Sequence, residues 1–90
     1  MKNDNQKVLT NFKKAKSHIA KIIQMMEEDQ YCIDLMQQNL AVIGLLRSAH
    51  QQLMRNHLNT CFKEAMQSKN EVRKQKMTKE ILQVANLFNR

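Results

Sequence analysis

Apolar residues return at intervals of four and three through the first third of the chain, at Val8, Phe12, Ala15, Ile19, Ile22 and Met26. That spacing lays them on one stripe of an α-helix, with Lys13, Lys14, Lys16 and Lys21 off it, and predicts a first helix over about residues 5–28. The polar run Glu27-Glu28-Asp29-Gln30 breaks the stripe, and Asp29 is a candidate N-cap for a second helix. From there Met36, Leu40, Ile43, His50, Met54, His57 and Cys61 share one face, and nothing between Cys32 and Gln67 stops a helix. The second helix is predicted over about 31–67. At ~1.5 Å per residue it is roughly 50 Å long, whereas a compact chain of this length has a radius of gyration of only about 12 Å. The seam therefore needs neighbours from other copies, and an oligomeric helical bundle meets that need. Residues 68–77 are basic and weakly periodic and read as a linker, after which Thr78 caps a third helix of about 78–88 carrying Ile81, Leu82, Ala85 and Phe88.

Composition narrows the class. One glycine, Gly44, and no proline in 90 residues leave too little turn chemistry for a sheet, so the expectation is all-α, in one domain spanning 1–90. No apolar run reaches the length of a membrane span, and Met1–Gln6 lacks the apolar core of a secretory signal, which predicts a cytoplasmic protein with no membrane partner. The net charge of +7 is unevenly spread: residues 1–26 hold six lysines and one acid, 63–79 hold six basic residues and two acids, and 27–34 hold four acids and no base. Two basic surfaces around an acidic middle suit phosphate binding, although a solvated lysine face has the same composition. No nucleophile elbow, Ser-His-Asp pattern or phosphate loop is present, so no enzyme and no organic cofactor is expected.

The sharpest chemistry is His57-x-x-x-Cys61 together with Cys32. Positions i and i+4 put an imidazole and a thiol one turn apart on the same face, within reach of one ion. Thiolate and imidazole suit Cu(I), which accepts three donors, or Zn(II), which wants a fourth. Cys32 precedes His57 by 25 positions, about 37 Å along a continuous helix at ~1.5 Å per residue, so it reaches such a site only from an antiparallel partner helix. Two inert, buried thiols fit the same spacing. His18 and His50 read as packing or interhelical contacts rather than ligands, and the seven methionines as core filler at helical spacing.

The stretch Met26-Glu27-Glu28-Asp29-Gln30-Tyr31-Cys32-Ile33-Asp34, with Gln38, Ala41-Val42 and Asn56-His57-Leu58-Asn59-Thr60-Cys61-Phe62, resembles the CsoR/RcnR family of metal-sensitive transcriptional repressors from about residue 8 to 88. The resemblance implies three helices per chain, an antiparallel long-helix dimer assembling into a flat homotetramer, and operator DNA as a partner that is released when an effector binds. It implies a metal set of Cys32 from one subunit with His57 and Cys61 of another. Tyr31 corresponds to the family's tyrosine, which with a helix-3 glutamate couples the histidine ligand to the DNA surface. That glutamate falls on Glu80 if the preceding linker is some three residues longer than is common, and on Met77 if it is not.

Residues that are missing point to the branch. Nickel- and cobalt-sensing relatives carry an N-terminal His and usually a His in place of the second Cys, and persulfide-sensing relatives lack the His ligand. Formaldehyde-sensing relatives use an N-terminal Pro. The resemblance therefore implies Cu(I) as effector, with Zn, Ni or persulfide sensing on the same fold, or a helical interaction protein that binds no DNA, as the alternatives. The N-terminal amine and Lys2 leave room for aldehyde chemistry. Family arginines on helix 1 are replaced by Lys13-Lys14, before Ser17-His18, and a basic position on helix 2 falls on Ser48 beside Arg47. DNA contact is expected through Lys13, Lys14, Lys16, Lys21 and Arg47.

Overall fold

The computed structural model describes residues 5–90, and every regular element among them is helical. Helix α1 spans Asn5–Glu27 and α2 spans Cys32–His57. A π-helical turn, Leu58–Phe62, leads without a break into α3, Lys63–Gln67, and α4 covers Glu71–Phe88. No helix among the described residues is long and apolar enough to cross a membrane. The chain packs as two units, one through Asn56 and the other His57–Arg90.

The first unit is an antiparallel hairpin of α1 on α2. Val8 and Ala15 are buried on α1, with Asn11, His18, Ile22 and Met25 half-buried between and beyond them. On α2, Val42, Ala49 and Asn56 are buried, with Leu35, Gln38, Leu45 and Gln52 half-buried. Both sets recur at alternating threes and fours, the heptad pattern of paired helices. Polar rungs cross the seam. His18 Nε2 meets Gln38 Oε1 at 2.6 Å, Asn11 Nδ2 donates to Ser48 Oγ at 3.3 Å, and Asn56 Nδ2 donates to Asn5 Oδ1 at 3.2 Å. Asn56 Oδ1 also accepts from Gln52 Nε2 at 2.8 Å, which satisfies a side chain only 4% exposed. A buried amide that is satisfied in one alignment only fixes register.

The apolar stripe expected on α1 is divided by the structure. Its Val8, Ala15 and Ile22 flank packs within the chain, while Phe12, Ile19 and Met26 stay exposed. On α2 the expected face, Met36, Leu40 and Ile43, is also exposed, and the intrachain seam lies about a quarter-turn or more away. Gln38, Gln52 and Asn56 interrupt that seam, so apolar periodicity alone does not reveal it.

Three boundaries differ from expectation. Asp29 ends α1 instead of starting α2: its φ is 55°, its N–H donates to Met26 O at 3.1 Å, and the Gln30 N–H donates to Met25 O at 3.0 Å. These are the paired bonds of a Schellman C-cap, in which aspartate takes the left-handed position usually given to glycine. Tyr31 instead opens α2, its carbonyl accepting from Leu35 N at 3.2 Å. The expected linker 68–77 is reduced to Ser68, Lys69 and Asn70, because Asn70 Oδ1 accepts from Arg73 N at 3.1 Å and caps α4 seven residues before the expected start. Thr78, expected as that cap, lies inside α4 and donates to Lys74 O at 2.9 Å. Glu71 and Lys74 form an exposed pair at 3.3 Å, of the kind that contributes little. Asn70→Ala is expected to destabilise α4 by about 1 kcal/mol, read as a lower thermal midpoint with the α1/α2 hairpin intact.

In the second unit Ala65 is fully buried, and Lys74, Met77, Ile81, Ala85 and Phe88 form the half-buried stripe of α4. The expected third-helix stripe is thus extended back by two positions, Lys74 and Met77. Leu82 faces outward at 58% exposure.

Candidate metal centre and basic grooves

His57 is the last residue of α2, and Cys61 lies in the π turn after it. A π turn inserts an extra residue into the helical ladder and is often found at functional sites, since it re-aims a side chain without breaking the helix. Both side chains are half-buried. Thr60 Oγ1 lies 3.8 Å from Cys61 Sγ and is placed to donate to it. The His57 ring meets α4, where its Nε2 is 3.2 Å from Met77 Sδ.

The helix-3 position expected at Glu80 is corrected by this contact. Glu80 is exposed, and Met77 stands against the imidazole. The reason is the short linker: with α4 starting at Glu71, the residue presented to His57 falls three positions, almost one turn, before Glu80. Met77 sits four residues before Ile81 on the same stripe, and that spacing was the sequence signal for it.

Cys32 is the first residue of α2 and is exposed, as is Tyr31 before it. Neither cysteine is in a disulfide. Among the described residues, no three His, Cys, Asp or Glu side chains of one chain converge to hold a metal ion. The donors that do approach one another within the second unit are an imidazole, the thiol one helical turn on, and a thioether.

The lysines of α1 form the second feature. Lys13, Lys14 and Lys21 line an open groove of about 630 Å³ with Thr10, Ser17, His18 and Leu45. Lys14 and Thr10 are shared with a second groove of about 370 Å³, lined also by Lys7, Gln6, Asn11, Ser48 and Gln52. Lys7, Lys14 and Lys21 are spaced by seven, two helical turns, which puts them in a row on one face. Lys7 was not among the expected contacts, and the heptad interval was its signal. Lys16 and Arg47 are exposed but line neither groove. His18 crosses to Gln38, and His50 is half-buried on α2. Lys2 and the N-terminal amine lie outside the described residues.

Residues 4–88 match the family described as metal-sensitive transcriptional repressor. The chain belongs to that family. Its members are repressors and not enzymes. This repressor is 43% identical over 58 residues to the copper-sensing transcriptional repressor CsoR of Mycobacterium ulcerans, a segment covering 64% of this chain and 50% of that protein. The CsoR of Mycobacterium tuberculosis H37Rv is 40% identical over 58 residues, 64% of this chain and 49% of its own. The copper-sensing repressor RicR of the same strain is 37% identical over 54 residues, 60% of this chain and 56% of its own. The chain thus spans about half the length of the curated relatives it matches.

Proposed function

We propose that this repressor is a cytoplasmic copper sensor. Its metal-free homotetramer, built from antiparallel dimers, holds operator DNA and lets it go when Cu(I) is bound by Cys32 of one subunit with His57 and Cys61 of another. The observation that carries the reading is the half-buried His57–Cys61 pair, one helical turn apart, with no complete set of His, Cys, Asp or Glu ligands among the described residues of one chain. Two donors from one copy leave room for a third from a second copy. Sulfur and imidazole are the donors expected for Cu(I). The copper-sensing relatives support the same choice.

Assembly is supported by the apolar side chains that one chain leaves uncovered, Phe12, Ile19 and Met26 on α1 and Met36, Leu40 and Ile43 on α2. An exposed face of this extent marks a protein surface that meets another. DNA contact is assigned to the groove lysines Lys13, Lys14 and Lys21, with Lys7 beside them and Lys16 and Arg47 as outlying charges. They offer ammonium groups to phosphates in a row. Lys14→Gln and Lys21→Gln are each expected to weaken binding on every DNA sequence alike and to lower the slope of log affinity against log salt by about one.

Release needs different metal affinities in the DNA-bound and DNA-free forms. A coupling of about 1–3 kcal/mol weakens DNA binding about 5–150-fold. The test is an anaerobic Cu(I) titration against a competing chelator, monitored by anisotropy of labelled promoter DNA. One Cu(I) per chain with release of DNA is the expected result. Far less than one, or unchanged DNA affinity at saturation, overturns the copper reading, and release by a persulfide donor with a Cys32–Cys61 crosslink between chains replaces it with thiol chemistry.

A further inference from the structure

The geometry points to Met77 as a further Cu(I) ligand, so that one chain contributes His57, Cys61 and a thioether to the metal. This rests on the copper reading above and deepens it by naming a donor and the metal that donor selects.

Within the second unit, His57 Nε2 and Met77 Sδ are 3.2 Å apart, both on half-buried side chains. A thioether is a weak hydrogen-bond acceptor, so the pair gains little as a hydrogen bond. As two ligands of one ion it is nearly at the required separation. Nitrogen at about 2.0 Å and sulfur at about 2.3 Å from a metal, at a tetrahedral angle, lie about 3.5 Å apart. Closing that difference asks for a side-chain adjustment of a few tenths of an ångström, well within the freedom of methionine's three side-chain torsions.

Placement supports the same conclusion. Met77 belongs to the half-buried stripe of α4 and not to its solvent face, so its sulfur is held beside the imidazole. Cys61 comes one helical turn after His57 through the π segment. A thioether cannot ionise and adds no charge to the site. It favours Cu(I), a soft ion, and offers little to Zn(II), which is satisfied by thiolate, imidazole and carboxylate. Met77 thereby sets metal choice as well as affinity.

The experiment uses the full chain carrying selenomethionine, loaded anaerobically with Cu(I), and reads copper K-edge absorption. A copper–selenium scattering path is expected in the unsubstituted protein and is expected to vanish in Met77→Leu, a nearly volume-conserving change. Chelator competition should show Met77→Leu weakening Cu(I) binding at least about tenfold, the low end of what even an outer-shell partner contributes, with Zn(II) affinity unchanged. Met77→Cys should restore tight Cu(I) binding, and Met77→Glu should not. Circular dichroism of each variant separates loss of a donor from loss of fold. If the protein binds Cu(I) but shows no selenium path, or if Met77→Glu binds Cu(I) as tightly as the unsubstituted chain, Met77 is not a ligand and the copper reading stands without it. If the protein binds no Cu(I), both fall together.

Discussion

Replacing Cys61 with serine is expected to leave the protein on its operator at saturating Cu(I), with DNA affinity changed less than twofold where the unsubstituted chain loses about 5–150-fold. Serine is close to cysteine in volume, so the half-buried position in the π turn is kept and metal-free DNA binding is expected to persist. What is lost is the sulfur, and a hydroxyl does not replace a thiolate for Cu(I). The fall in Cu(I) affinity should exceed the about 10–100-fold typical of losing an outer-shell partner. Cys32→Ser should behave alike, because its thiol serves a site completed by the other copy. Mixing the two variants then gives a sharp result. Oligomers containing one of each retain one intact site, Cys32 of the Cys61→Ser chain with His57 and Cys61 of the Cys32→Ser chain, so copper binding returns in part. A site made within one chain recovers nothing on mixing. Equilibrium Cu(I) competition on the separate and mixed proteins, with anisotropy of the DNA, reads both outcomes.

Leu40→Glu is expected to break the assembly and, with it, most of the helical structure. Leu40 is 65% exposed in the single chain, on the α2 face it shares with Met36 and Ile43. If that face meets a copy of itself, each substitution places two carboxylates in the interface, and burying an unpaired ion costs several kcal/mol. The lone chain has little to fall back on. Its buried apolar residues, among those described, are Val8, Ala15, Val42, Ala49 and Ala65, none larger than valine. At about 1.5 kcal/mol for a fully buried valine and less for alanine, such a core does not hold long helices against their conformational entropy. Light scattering should show the mass falling to one chain, with helical circular dichroism falling at the same concentration. A Leu40→Glu protein of unchanged mass and helicity would place the oligomer contact on another face.

Individual residues show what could be read from the chain. The period of three and four was enough for α1 and α2, since burying an apolar stripe is what stabilises a helix of this length. It did not reveal which part of the stripe the chain uses for itself. Phe12 and Val8 lie on the same broad face, and only the partner helix decides that Val8 is covered and Phe12 is not. Asp29 shows another kind of ambiguity: an acid between two helices can cap the second or end the first, and its left-handed φ settles the matter. Asn70 was a legible cap, hidden by the surrounding basic residues that read as linker.

The sequence by itself determined that this protein is helical, that a single chain has too small a core, and that His57 and Cys61 share a face one turn apart. Those conclusions rest on local physics: helical period, the scarcity of glycine and proline, and side-chain chemistry at fixed spacing. Only the tertiary structure decided that Met77 and not Glu80 stands against His57, that Cys61 sits in a π turn just beyond the end of α2, and that Lys7, Lys14 and Lys21 line adjoining grooves. The start of α4 and the packing of two helices set these contacts, and a shift of three residues along α4 exchanges a carboxylate for a thioether beside the imidazole.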